Sequence, residues 1–107
     1  MTYNFMRLLL FFDLPMVTNK EKRIYTHFRK YLIQNGYIMM QFSVYCKIFN
    51  NRDAAVNHMS ILRRSVPDQG QIRLMLITEQ QYTKMDIIVG GKSRQEETVT
   101  IEPFILL

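Results

Sequence analysis

The chain has 107 residues, of which 48% are hydrophobic and 21% are charged; this fits one compact domain with a small core and leaves no room for a second. Fourteen Lys and Arg residues against nine Asp and Glu residues give a formal net charge of +5, which favours a polyanionic partner such as nucleic acid, with an ordinary basic surface as the alternative. The single cysteine, Cys46, excludes an intramolecular disulfide, so we expect a protein of the reducing cytoplasm rather than a secreted scaffold.

The first predicted element is a strand over residues 3–14. Its unbroken apolar run at positions 8–12 is too short for a helix, and Pro15 follows directly after the strand. The run is also shorter than a signal-peptide core of about 7–15 residues and a membrane span of about 20 residues. We therefore expect the central strand of a sheet, and neither a targeting segment nor a membrane partner.

The second predicted element is a helix. Thr18 and Glu21 form a capping-box pattern at its start, and apolar residues then recur at helical spacing. Asn35-Gly36 supplies a C-terminal stop.

The rest of the chain predicts further strands and one more helix. Residues 37–40 are expected to form a short strand, and alternation over residues 42–48 predicts another, with Cys46 on its inward face as a small core residue and Tyr45 on its outward face. The later elements are a helix that begins at Asn50 or Asn51 and ends at Arg63-Arg64, a strand over residues 72–76, a short strand over residues 84–89, a flexible loop over residues 92–97 and an extended segment over residues 98–107.

This order of elements is the split βαβ pattern of ferredoxin-like domains, an α+β sandwich of the βαββαβ type, here with extra C-terminal strands. We assign residues 1–89 to the ferredoxin-like domain and residues 90–107 to a loop and a C-terminal edge strand that contacts a dimer mate or another partner. Two helices cover only one face of such a sheet, but residues 8–12 are apolar on both faces. We therefore expect a homodimer packed sheet on sheet.

Asp13 is the first candidate for a functional residue because it is a carboxylate at the end of an apolar strand, where burial is costly without a partner. An ordinary turn residue that caps residues 15–17 is the alternative. A lone carboxylate makes a poor magnesium site, since Mg²⁺ usually takes one or two carboxylates together with water and phosphate oxygens. A two-fold axis near the strand end would supply a second Asp13.

Two segments of the first half of the chain contain recognisable motifs. Residues 7–15 read RLLLFFDLP, and residues 36–45 read GYIMMQFSVY. The first segment is similar to the first-strand signature of the CRISPR-associated protein 2 family, and the second resembles that family's glycine, glutamine and Ser-Val-aromatic segment. The chain departs from the commonest pattern at Phe12, where tyrosine often precedes the aspartate.

The resemblance implies a ferredoxin-like homodimer that lies between two dimers of the CRISPR-associated protein 1 integrase and bridges a short DNA duplex during spacer acquisition. Some members of the family are described as magnesium-dependent endonucleases. Asp13 matches the metal-binding aspartate of those members, contributed by both subunits, so the implied cofactor is Mg²⁺ at the dimer axis.

Basic side chains near the first strand and on the first helix are candidates for nucleic-acid binding, because guanidinium and ammonium groups contact phosphates without reading sequence. A solvated helix face is the alternative for each of them. The candidates are Arg7, Lys20, Lys22, Arg23, Arg29, Lys30 and Lys47.

These patterns leave three hypotheses for the function. The first is a non-catalytic adaptor for double-stranded DNA and the integrase, and the second is a magnesium-dependent endonuclease that cleaves RNA or DNA through Asp13 of both subunits. The adaptor is favoured because neither His27 nor His58 can be placed beside Asp13 as a general base. The two histidines also lack zinc-ligand spacing, so they are expected to be structural or surface residues. The third is a module that stacks RNA bases on sheet aromatics, and it is disfavoured because residues 41–46 lack the basic-glycine-aromatic opening of such modules.

Overall fold

The computed structural model describes residues 5–98, so residues 1–4 and 99–107 lie outside the description that follows. The strands are β1 (Met6–Asp13), β2 (Ile38–Gln41), β3 (Val44–Phe49) and β4 (Gln71–Thr78), and the helices are α1 (Asn19–Gln34), α2 (Arg52–Arg63), α3 (Glu79–Thr83) and α4 (Arg94–Thr98).

The strands form one antiparallel sheet in the order β2-β3-β1-β4. β3 lies between β1 and β2, which α1 connects, and β1 lies between β3 and β4, which α2 connects. The insertion of one strand into each strand-helix-strand unit is the split βαβ arrangement. The predicted α+β, ferredoxin-like fold is therefore confirmed.

The core lies between the sheet and the helices α1 and α2. Successive side chains of a strand point to opposite faces, and Leu8, Leu10 and Phe12 of β1 are the buried residues on the helix side. The ring of Phe12 packs edge-on against Phe28 of α1, with ring centroids 5.5 Å apart. Because burial of apolar area is the main favourable contribution to folding, these contacts hold β1 as the central strand, as predicted.

The ends of the two long helices follow the predicted capping signals. The Thr18 hydroxyl accepts a hydrogen bond from the Glu21 N–H at 3.1 Å, and the Glu21 carboxylate accepts one from the Thr18 N–H at 2.8 Å. Gly36, just after α1, has a φ of +86°, which glycine adopts without strain. Asn51 caps α2 by accepting a 2.8 Å hydrogen bond from the Ala54 N–H. Across residues 5–98, no helix has both the length and the apolar character needed to cross a membrane.

Strand β3 begins later than predicted and is buried on both faces. Ser43 lies in the preceding turn with a φ of +66°. Tyr45 points to the helices and belongs to the core, whereas Cys46 is buried on the second face of the sheet, where its Sγ accepts a 3.5 Å hydrogen bond from Arg7. The predicted interior position of Cys46 is correct, but the prediction that Tyr45 points outward is wrong.

The second face of the sheet is covered in part by the chain itself. α3 contacts β1 and β4, while α4 contacts β2, and Leu9 on this face is only 4% exposed. We predicted that another molecule must cover this face, and α3 and α4 cover some of it. Leu9 pairs with Met75 of β4, so Phe11 and Met75 are diagonal neighbours, and they remain 37% and 56% exposed. We call this pair the apolar strip, and it is the surface on which the predicted homodimer now depends.

The C-terminal part of the described chain differs from its prediction. Residues 84–89 follow α3 without forming a strand, and residues 94–98 form α4 where the sequence predicts a flexible loop. The chain leaves the sheet because Thr78 caps α3, accepting a 3.0 Å hydrogen bond from the Gln81 N–H. An extended segment was predicted over residues 98–107. Thr98 is instead the last residue of α4, and residues 99–107 lie outside the described residues.

Candidate nucleic-acid interface and metal site

Asp13 ends β1 at one edge of the sheet. It pairs with Gln71, the first residue of β4, and its side chain is exposed on the same face as Phe11. The connection before β4 passes so close that a Cβ atom on Gly70 would lie 2.4 Å from the Asp13 carbonyl oxygen. The alternation of the strand therefore directs the Asp13 carboxylate to solvent at a tightly packed strand end.

The Asp13 carboxylate is free to take a ligand, but one chain does not complete a metal site around it. Within residues 5–98, no hydrogen bond or ion pair engages this carboxylate. Over the same residues, no three His, Cys, Asp or Glu side chains come together as a metal-binding group. The oxygen donor suits Mg²⁺ in kind, but the remaining ligands would have to come from phosphate, water or a second chain.

Neither histidine is hydrogen-bonded to Asp13. His58 of α2 shares a 2.7 Å hydrogen bond with the Tyr37 hydroxyl and packs against Phe49, with ring centroids 5.2 Å apart. Phe49 ends β3 beside the start of β1, which is the end of the sheet opposite Asp13. Burial lowers the pKa of His58, and His27 is exposed on α1. These contacts are those of a structural and a surface histidine.

The cations of α1 provide one exposed basic surface. Lys20 and Arg23 are three residues apart and so share a helix face, and both line a groove of about 550 Å³ between α1 and residues 65–68. We call this cavity the α1 groove. Lys22 and Lys30 are exposed elsewhere on the helix, and no ion pair within residues 5–98 engages any of these four side chains.

The side chains of Arg29 and Lys47 are each hydrogen-bonded to a neighbouring residue. The Arg29 Nε donates a 3.0 Å hydrogen bond to the Tyr45 hydroxyl. The Lys47 Nζ donates a 2.6 Å hydrogen bond to the Asn35 carbonyl at the end of α1. Both groups keep further N–H donors, so both remain candidates for phosphate contacts.

Arg7 lies in the interior of the molecule. It is 2% exposed, its Nε and Nη2 each donate a 2.8 Å hydrogen bond to the Glu79 carboxylate, and its guanidinium carbon lies 3.6 Å from the centroid of the Tyr82 ring. Burial disfavours the charge, but hydrogen bonds to Glu79 and Cys46 outweigh it and raise the pKa of Arg7. We therefore remove Arg7 from the candidates for nucleic-acid binding.

The partners of Arg7 were not identified from the sequence. Tyr82 donates a hydrogen bond to the buried carboxylate of Glu96 in α4, and burial raises the pKa of Tyr82, so its hydroxyl stays protonated. A charged side chain inside an apolar strand needs a counter-charge, so the position of Arg7 indicates that an acidic side chain is buried beside it. The sequence does not show which acidic residue this is, because Glu79 is 72 positions away in the chain.

Comparison with known families adds to this geometry. The family model for CRISPR associated protein Cas2 matches residues 6–85, which run from the start of β1 to just beyond α3. The chain belongs to the Cas2 family. The resemblance drawn from the motifs around Asp13 and after α1 is thereby confirmed.

The alignments with individual Cas2 relatives cover most of the chain. A protein of Acidovorax ebreus (strain TPSY) is 46% identical over 94 residues, which cover 88% of this chain and 92% of the relative. A protein of Treponema denticola is 41% identical over 105 residues, which cover 95% of this chain and all of the relative. Both relatives are named CRISPR-associated endoribonuclease Cas2.

Proposed function

We propose that this Cas2 protein is a non-catalytic, dimeric adaptor of the CRISPR spacer-acquisition complex in the cytoplasm. In this role it binds double-stranded DNA and bridges dimers of the CRISPR-associated protein 1 integrase. The proposal rests on the setting of Asp13, an exposed carboxylate that has no hydrogen-bonded base within residues 5–98. Phosphodiester hydrolysis requires an activated water, and neither histidine is hydrogen-bonded to Asp13 to serve as the base for that step.

Duplex binding is supported by the free cations of α1. If Lys20, Lys22, Arg23 and Lys30 each contact one phosphate, the logarithm of the binding constant should fall with the logarithm of salt concentration with a slope of about −3.6 per protomer. Because phosphate contacts carry no sequence information, two unrelated duplexes of one length should bind equally. Fluorescence anisotropy across a salt series measures both properties. Binding that is insensitive to salt, or that requires one sequence, contradicts this part of the proposal.

The homodimer is supported by the apolar strip, because exposed apolar side chains beside each other on a sheet face favour burial against a partner. Met75→Lys should weaken a dimer that uses this face by placing a charge in the interface. Ile61→Lys is the matched control, since Ile61 is 51% exposed on α2, away from the strip. Sedimentation should show a dimer for the wild type and for Ile61→Lys, and a shift towards monomer for Met75→Lys. A monomeric wild type at micromolar concentration contradicts the proposal.

A magnesium-dependent endonuclease is the second candidate function. It is favoured by the exposed, unengaged carboxylate of Asp13 and by the name endoribonuclease that the Cas2 relatives bear. Asp13 of both subunits would hold Mg²⁺, and the bound ion would polarise the phosphate and activate water.

Asp13→Asn separates the two functions because it preserves the size of the side chain and removes the charge that holds Mg²⁺. An endonuclease should lose about a hundredfold or more in rate, or about 2.7 kcal/mol in transition-state stabilisation. An adaptor should stay dimeric and support integration of a supplied duplex into a repeat-containing plasmid at close to the wild-type level.

The assay pairs plasmid integration by the purified integrase with a magnesium-dependent cleavage reaction. Asp86→Asn is the matched control, since it removes one negative charge from another exposed position. The adaptor proposal is wrong if Asp13→Asn abolishes integration while dimerisation and integrase binding survive.

A further inference from the structure

The adaptor proposal uses two cations of the α1 groove, Lys20 and Arg23, and leaves its apolar walls without a role. The groove's volume of about 550 Å³ lies within the range of about 300–1,000 Å³ typical of small-ligand sites. Residues 65–68 form one wall and lead through Gly70 into the first residue of β4, which pairs with Asp13. The groove therefore opens at the same end of the sheet as Asp13.

The walls of the α1 groove are apolar and aromatic. Ile24 and Tyr31 line it from α1, and Val66 and Pro67 line it from the opposite side. The ring of Tyr31 stacks on Phe28 beneath it, with ring centroids 6.5 Å apart and planes 14° apart, so the core holds the ring in place. A flat, uncharged ring fits between walls of this kind.

The rim of the α1 groove is polar and supplies both signs of charge. Lys20, Arg23 and the exposed His27 lie along α1, and Asp68 lies on the opposite wall. Within residues 5–98, no hydrogen bond or ion pair occupies any of these four side chains. The groove thus combines cations for an anionic group with one carboxylate that accepts hydrogen bonds.

We propose that the α1 groove binds one unpaired nucleotide at the end of a nucleic-acid duplex. The base lies between the apolar walls, where bases stack on aromatic side chains such as Tyr31 and His27. Its phosphate contacts Lys20 and Arg23, and Asp68 accepts a hydrogen bond from an amino group of the base, as carboxylates do from cytosine. The inference rests on the proposed binding of nucleic acid and adds that the protein distinguishes frayed or overhanging ends from blunt ones.

An acidic peptide with an apolar anchor is the competing occupant, and the groove fits it less well. Its carboxylates would match Lys20 and Arg23, but Asp68 would repel them. A nucleotide can satisfy both kinds of charge. Its phosphate can contact Lys20 and Arg23, while the hydrogen-bond donors of its base can reach the Asp68 carboxylate.

The test compares a blunt DNA duplex with the same duplex bearing one unpaired cytosine or thymine at each end, by fluorescence anisotropy in EDTA. We expect the cytosine overhang to raise affinity about fivefold or more over the blunt duplex, the lower end of the effect of stacking one base. The thymine overhang should gain less, because thymine presents a carbonyl oxygen where cytosine presents its amino group.

Variants at exposed positions locate the effect. His27→Ala should abolish the gain from the overhang and leave blunt binding unchanged, and Asp68→Asn should remove the preference for cytosine. Lys30→Ala is the control, since Lys30 is an exposed cation of the same helix that does not line the groove. It should weaken binding of all three duplexes by the same factor.

The outcomes separate this inference from the adaptor proposal. Duplex binding without any gain from an overhang overturns the α1 groove proposal and leaves the adaptor intact. Binding of overhanging ends without blunt binding supports the groove and contradicts the duplex adaptor. If His27→Ala and Asp68→Asn weaken integrase association instead, with overhang binding unchanged, the groove is a protein-binding site and the nucleotide proposal is wrong.

Discussion

Glu79→Gln should destabilise the fold, because it leaves the buried charge of Arg7 without its counter-charge. The Arg7 and Glu79 side chains are 3% and 21% exposed, and two hydrogen bonds of 2.8 Å join them. Removing one partner of a fully buried ion pair costs about 3–5 kcal/mol. The glutamine oxygen still accepts one hydrogen bond, and water reaches the partly exposed position. We therefore expect a loss of about 2 kcal/mol, near the contribution of one charge-assisted hydrogen bond.

Urea denaturation measures this loss as a change in the free energy of unfolding. All variants are compared at one protein concentration, because the proposed dimer would make the apparent stability depend on concentration. Asp86→Asn, at an exposed position, is the control and should change stability by less than about 0.5 kcal/mol. The double variant Arg7→Met with Glu79→Leu removes both charges and should recover part of the loss. A Glu79→Gln protein as stable as the wild type would refute this account of Arg7.

Three further predictions use the same unfolding measurement. Gly70→Ala should cost about 2 kcal/mol or more, because the φ of +80° strains alanine and its Cβ would lie 2.4 Å from a backbone oxygen; Gly91→Ala, with open space around it, should change little. Leu10→Ala should cost about 2–5 kcal/mol by leaving a cavity, and an equal effect of Ile61→Ala on the surface would contradict this assignment of the core. Burial lowers the pKa of His58 in the folded state, so its stabilisation is present above the unfolded pKa of about 6.5 and is lost as the pH falls through the lower folded pKa; His58→Gln should flatten that part of the pH profile.

Most of the fold follows from signals that lie close together in the chain. The apolar run at residues 8–12, the Thr18–Glu21 capping box and the Asn35-Gly36 stop predicted β1 and α1 to within a few residues. Hydrophobic periodicity and capping act over one or two turns, and the order of the elements then selects the split βαβ arrangement. The second face was harder to predict, because α3 and α4 are short and their packing depends on β1 and β2.

Only the part of the candidate site that depends on local sequence signals was predicted. Asp13 stands at the end of β1 because strand alternation and Pro15 locate that end, and Lys20 and Arg23 share a helix face because of their spacing. The α1 groove could not be predicted, since its second wall comes from residues 65–68, which approach α1 only when β4 pairs with β1.

The sequence by itself determined the first six elements, from β1 to β4, together with their order, the family motifs and the place of Asp13, because each of these depends on neighbouring residues. Only the tertiary structure decided that Arg7 is buried against Glu79 rather than exposed to phosphate, and that α4 packs on β2. A cation in a strand has the same local pattern whether it meets solvent or a distant carboxylate. The free energy that separates the two states comes from desolvation and from a contact between residues far apart in the chain.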